Sequence, residues 1–138
     1  MNKRGLKILV VDDEQDYCNV MKVILEANGH MVSVATSGRT ALNILAQKTF
    51  DVVITDLMMP EIDGRQLMSE IKERFPGTEV IILTAYGSIE NAVDAMREGA
   101  YSYVTKGGDP GELLREITKL HRVLDLKQEN QLLKEKVN

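Results

Sequence analysis

The sequence predicts an α/β domain: a doubly wound, five-stranded parallel sheet with helices on both faces and an extended C-terminal helix. Five short apolar runs of strand length alternate with stretches whose apolar residues recur at helical spacing. The runs are apolar throughout, as strands buried on both faces must be, and that pattern belongs to parallel sheets layered between helices. The segments between them carry helix caps and left-handed exits at the expected places. In such an architecture ligands bind beyond the carboxyl ends of the strands, where the strand order reverses.

Lys7 to Val11 reads as the first strand. Gln15 to Ala27 is helical, with Cys18, Val20, Met21 and Ile24 in its pattern, and stops at Asn28-Gly29, a good left-handed exit. Met31 to Ala35 is the second strand, after which Ser37 caps a helix carrying Ala41, Leu42, Ile44 and Leu45. Val52 to Thr55 is the third strand. Asp63-Gly64-Arg65-Gln66 then resembles a capping box opening a helix through Leu67, Met68 and Ile71. Val80 to Leu83 is the fourth strand, Ser88 opens a helix ending at Gly99, and Tyr101 to Val104 is the fifth strand.

The last helix starts at Asp109-Pro110-Gly111-Glu112, with an N-cap, a proline at the first helical position and a glutamate at the third. No breaker follows before Asn138, so residues 1–122 are expected to form the domain and residues 123–138 a helical linker. Val123, Leu126, Asn130, Leu133 and Val137 alternate spacings of three and four, the seam of a coiled coil, with Asn130 at a core position that favours an in-register homodimer. The competing reading is a solvated helix whose leucines pack on their own domain.

At 138 residues the chain holds one domain and a modest appendage, and its 43% hydrophobic and 28% charged residues are those of a soluble globular protein. A net charge of -4 argues against direct nucleic-acid contact, which rests on clustered Lys and Arg. No apolar stretch reaches the roughly 20 residues that span a bilayer, and the N-terminus lacks a signal-like core, so a cytoplasmic location without membrane contact is expected. The single cysteine, Cys18, reads as a buried structural thiol. His30 and His121 stand apart from other ligand-type residues, so zinc chemistry is not expected.

The stretch "ILVVDDEQD" runs an apolar strand directly into Asp12, Asp13 and Glu14. Adjacent carboxylates at the edge of a core repel one another and lose hydration, and any one of them could simply cap a turn. The other strand ends decide between these readings. The third strand delivers Asp56, the fourth Thr84, and the fifth leads through Thr105 to Lys106. Three carboxylates, a hydroxyl and an amine thus converge on one sheet edge. A hard divalent cation such as Mg²⁺ would neutralise the acids while keeping room for water and substrate oxygens. The hydroxyl and ammonium would complete a site for phosphoryl transfer, with Asp56 as nucleophile.

"ILVVDDE", "DVVITDLMMPEIDG", "VIILTAYG" and "YSYVTK" resemble, in order and approximate spacing, the receiver domain of two-component response regulators over residues 5 to 120. The resemblance implies a flavodoxin-like strand order of 2-1-3-4-5. It makes Asp12 and Asp13 metal-binding acids and Asp56 the phosphoacceptor that is charged by a sensor histidine kinase. It also implies that Met58 lends a backbone carbonyl to Mg²⁺, that Thr84 and Lys106 contact the phosphoryl group, and that Tyr103 is an aromatic whose rotamer follows Thr84. Where the family usually has a proline after the lysine, this chain has Gly107 and Gly108, which lack a locked bond and predict a loosely held Lys106 and a mobile loop. The helix beyond the domain is similar to the linker of NtrC-type activators, which continue into an ATPase and a DNA-binding domain. Neither a P-loop nor a helix-turn-helix is found here, and a chain that stops in mid-zipper reads as a fragment.

Two enzymatic or electron-carrying readings fit less well. Phosphohydrolases of the haloacid dehalogenase type need a second Asp two residues after the nucleophile, where this chain has Met58. Flavodoxin-type carriers need a phosphate-cradling loop after the first strand, where this chain has acids. A receiver reduced to a dimerisation scaffold would have a broken acid set, and all three acids are present.

Overall fold

The computed structural model describes residues 5–85 and 87–137, with side chains as far as residue 132. The chain falls into two compact units that divide after Gly108. In the first, β1 (Lys7–Val11), α1 (Gln15–Ala27), β2 (Met31–Ala35), α2 (Gly38–Leu45), β3 (Val52–Thr55), α3 (Gly64–Arg74), β4 (Glu79–Thr84), α4 (Ile89–Arg97) and β5 (Ser102–Thr105) follow one another. The strands form one parallel sheet in the order β2-β1-β3-β4-β5. This is the expected architecture and order.

Helix boundaries follow the capping chemistry of the sequence. Ser37 accepts a hydrogen bond from the Thr40 N–H, Ser88 from the Asn91 N–H, and Asp63 and Gln66 form a complete capping box. Gly29 and Gly99 adopt φ of +92° and +112° just beyond α1 and α4, a region that costs other residues about 1 kcal/mol or more. Two strands depart from expectation. β4 is one residue longer at each end than Val80–Leu83, and β5 is Ser102–Thr105 instead of Tyr101–Val104. The ladder with β4 opens at Ser102 opposite Ile81 and closes at Thr105 opposite Thr84, so Tyr101 precedes it and Lys106 follows the strand directly.

The central strands β1, β3 and β4 bury both faces, whereas the edge strands β2 and β5 are only partly covered. Leu9, Val11, Val53, Val80 and Ile82 join Ala41 and Leu45 of α2, Leu67, Met68 and Ile71 of α3, and Ala95 of α4 in one core cluster. The crossover from β1 to β2 sends α1 to the other face, where it buries Cys18, Met21 and Leu25. Full burial of each large aliphatic side chain contributes roughly 1.5–3 kcal/mol, so this sandwich fixes the sheet. The helices leaving the adjacent strands β1 and β3 therefore depart to opposite faces. That divergence opens a crevice at the carboxyl ends of β1 and β3.

The second unit is a single helix, α5 (Pro110–Val137), unbroken as the sequence predicts. Asp109 caps it by accepting from the Gly111 N–H at 2.9 Å, and this bond, with Arg115 at 3.3 Å, holds the Asp109 carboxyl below its ordinary pKa. Of the seam positions, Val123 and Leu126 are 37% and 53% exposed, and the side chains of Leu133 and Val137 lie outside the described residues.

Candidate functional site at the carboxyl edge of the sheet

Asp12 leaves β1 with its backbone still engaged, its N–H donating to Ala35 O at 3.1 Å. Its carboxylate does two things. Oδ1 accepts the Glu14 N–H at 3.0 Å, closing a local turn before α1, and Oδ2 lies 2.5 Å from Lys106 Nζ. The capping reading of the acid cluster is thus partly met by Asp12, while Glu14, the residue at the N-cap position of α1, makes no side-chain cap bond. Asp13 is exposed.

Asp56 follows β3 and is held by the next rung of the sheet, its N–H donating to Val11 O at 3.0 Å. It is 7% exposed, and its Oδ1 accepts from the Met58 N–H at 3.4 Å. The loop then folds back so tightly that a Cβ on Gly64 would lie 2.3 Å from Asp56 O and 2.9 Å from Leu57 Cα. Only glycine permits that approach. Glu61, with φ of +66°, completes the reversal.

β4 and β5 bring the remaining groups. Thr84 is fully buried at the end of β4, and Lys106 stands one residue beyond β5 with its N–H on Thr84 O at 2.8 Å. The Lys106 ammonium lies 2.5 Å from Asp12 Oδ2 and 3.2 Å from Asp56 Oδ2, with its side chain 12% exposed. Burial pulls its pKa down, but hydrogen bonds and charge from Asp12 and Asp56 outweigh burial and raise it above the ordinary lysine value. The expectation of a loosely held Lys106 is therefore corrected. Tyr103, on β5, is half-buried and packs against the core cluster.

The structure adds a residue that sequence reasoning passed over. Tyr17, in the first turn of α1, places its ring 4.1 Å from the Lys106 ammonium, measured to the centroid. Burial raises the Tyr17 pKa, opposed by Lys106 and reinforced by Asp12 and Asp56. An aromatic residue just after an acidic strand end, in a chain of only four tyrosines and two phenylalanines, was the available signal. Cys18 behaves as predicted: it is buried, with its thiol 3.3 Å from Asp12 O and its pKa raised by that burial.

One carboxylate oxygen from each of Asp12, Asp13 and Asp56 lies within 4.8 Å of the others, a spacing that suits a single hard cation with oxygen ligands. Two further polar groups, Thr84 and Lys106, complete the edge that the sequence predicted. Comparison with known proteins identifies the family. Residues 8–118 match the response regulator receiver domain, and the chain belongs to that family of signalling domains. It is 41% identical over 106 residues to the transcriptional regulatory protein ZraR of Escherichia coli K12, covering 77% of this chain and 24% of that protein. It is 39% identical over 134 residues to a putative NtrX-like response regulator of Rickettsia bellii, covering 96% of this chain and 28% of that one. The chain thus spans about a quarter of the length of these curated relatives. Among solved structures, a response regulator receiver domain from Clostridium thermocellum superposes with a TM-score of 0.80 at 38% identity, covering 87% of this chain and 97% of that one. NtrX from Brucella abortus gives 0.85 at 31% identity, covering 94% of this chain and 29% of that one.

Proposed function

We propose that this chain is a phosphorylation-controlled receiver in which Asp56 accepts a phosphoryl group from a phosphohistidine on a sensor histidine kinase. The observation that carries this reading is the pairing of the Lys106 ammonium with both Asp12 and Asp56 at the sheet's switch point. An Asp56 carboxylate oxygen attacks phosphorus, the P–N bond of the phosphohistidine breaks, and the imidazole nitrogen keeps the electron pair and takes up a proton. The product is an acyl phosphate. Asp12, Asp13 and Asp56, with the Met58 carbonyl, would hold Mg²⁺, which supplies neutralisation of the phosphoryl oxygens.

Lys106 then exchanges a carboxylate partner for a phosphoryl oxygen, and the Thr84 hydroxyl turns toward the same group. Tyr103 follows Thr84 and passes the change along β5. Residues 1–122 act as the switch and residues 123–138 as a linker that pairs with a second copy through the Val123, Leu126 and Asn130 seam. In the larger protein this signal would reach a transcription-activating output of the NtrC type, in the cytoplasm, with no nucleic-acid contact by this part of the chain.

Intact mass after incubation with acetyl phosphate and Mg²⁺ tests the proposal. The native chain gains one phosphoryl group, and the gain is lost in EDTA and in Asp56→Asn. A folded chain that takes no label from acetyl phosphate or from any kinase would instead be a scaffold.

A further inference from the structure

Lys106 is not placed by the chain that follows it. Gly107 has φ of +84° and stands in open space, where an added Cβ would meet nothing within 4 Å, and a Cβ on Gly108 would meet only Thr105 O at 3.7 Å. A lysine stem has many accessible rotamers, so a defined ammonium position needs side-chain partners. Among the described residues it has three: Asp12, Asp56 and the ring of Tyr17, whose centroid is 4.1 Å from Nζ. A cation within about 6 Å of an aromatic centroid is attracted by the ring quadrupole, more strongly where water is excluded. Lys106 meets both conditions.

The two carboxylates have other duties if Asp56 is the phosphoacceptor. Asp12 would turn to the cation and Asp56 would carry the phosphoryl group, so both pairings seen here would be given up or changed during the reaction. A neutral ring has no such competing partner. We infer that Tyr17 is a positioning residue for Lys106: its ring face keeps the ammonium beside Asp56 while the carboxylates are engaged elsewhere. This inference rests on the reading of Asp56 as phosphoacceptor, and Tyr17 itself touches no reacting atom. It supplies through α1 the placement that the glycines after Lys106 do not.

Two readouts on the full chain test it. In the unphosphorylated protein, ring current should shift the Lys106 ε-methylene protons upfield in the native chain and in Tyr17→Phe, and that shift should vanish in Tyr17→Leu. In phosphoryl capture from acetyl phosphate at saturating Mg²⁺, Tyr17→Leu should be about three- to tenfold slower and Tyr17→Phe within about twofold of native. Lys106→Met and the double variant Lys106→Met/Tyr17→Leu should then react at the same rate. Should Tyr17→Leu not fold, Tyr17→Met serves as the ring-free variant. A missing ring-current shift in the native chain, a Phe variant as slow as Leu, or an undiminished Leu effect in the Lys106→Met background overturns the inference. A native chain that shows the shift but takes no label leaves the ring contact standing and removes the phosphoacceptor reading instead.

Discussion

Asp56 and Lys106 end 3.2 Å apart, yet they reach that point by opposite means. Asp56 is set by backbone. Its N–H is a rung of the sheet, its side chain is short, and the chain beyond it is pressed against Gly64 so closely that no other residue fits. Lys106 starts from a strand end, but its long stem points to a place that, among the described residues, two carboxylates and a ring define, with two glycines behind it. The contrast teaches how a switch can be divided. The group proposed to form the bond is rigid, and the group proposed to follow the incoming charge is held by contacts that can be exchanged.

Substitutions can break or sharpen that division. The largest effect belongs to the rigid side: Gly64→Ala forces backbone against backbone at Asp56 and should cost about 3 kcal/mol or more, read as the shift in urea midpoint at constant m-value. Lys106→Met removes the shared cation from two buried carboxylates and should cost about 2 kcal/mol at pH 7. The sign of its pH dependence follows from the raised lysine pKa. The stabilisation is fully present below the unfolded value near 10.5 and is lost as pH rises through the higher folded value. Urea midpoints taken from pH 8 to pH 11.5 should fall more steeply for the native chain than for Lys106→Met. The residual slope includes Tyr17 and Cys18, whose raised values act in the same direction. Gly107→Ala meets no atoms but must take a positive φ, so it should cost about 1 kcal/mol in thermal unfolding and leave the Lys106 ring-current shift in place. Arg74→Ala removes an exposed pair with Glu70 and a guanidinium 5.2 Å from the Phe75 ring centroid, and its midpoint should stay within about 1 kcal/mol of native.

The rigid side was also the more legible one. Strand runs, the Ser37, Asp63–Gln66 and Ser88 caps and the glycine exits are local signals, each decided within a few residues, and all were visible in the sequence. The carboxylates could be assigned to one edge because each follows a strand of a parallel sheet. What the sequence left open depends on contacts between distant segments. The grip on Lys106 joins residues of α1 with the ends of β1 and β3, and no periodicity reports where a flexible stem ends. The Arg65–Glu98 ion pair, which ties the start of α3 to the end of α4, is likewise invisible until the helices are placed. The start of β5 is offset by one residue because Tyr101 donates its N–H to Val80 O at 2.7 Å while residue pairing with β4 begins at Ser102.

β1 lies between β2 and β3 in the sheet but precedes both in the chain. During synthesis it therefore leaves the ribosome as a short, strongly β-prone apolar segment, and one of its edges stays open until Val52–Thr55 has been made. Such a window invites pairing with other nascent chains. Here it is bracketed by charge, with Lys7 at one end and Asp12, Asp13 and Glu14 at the other, the arrangement by which gatekeeper residues keep sticky strands apart. The acids that gather at the sheet edge in the folded protein are thus also of the residue type that guards an apolar strand before it is paired.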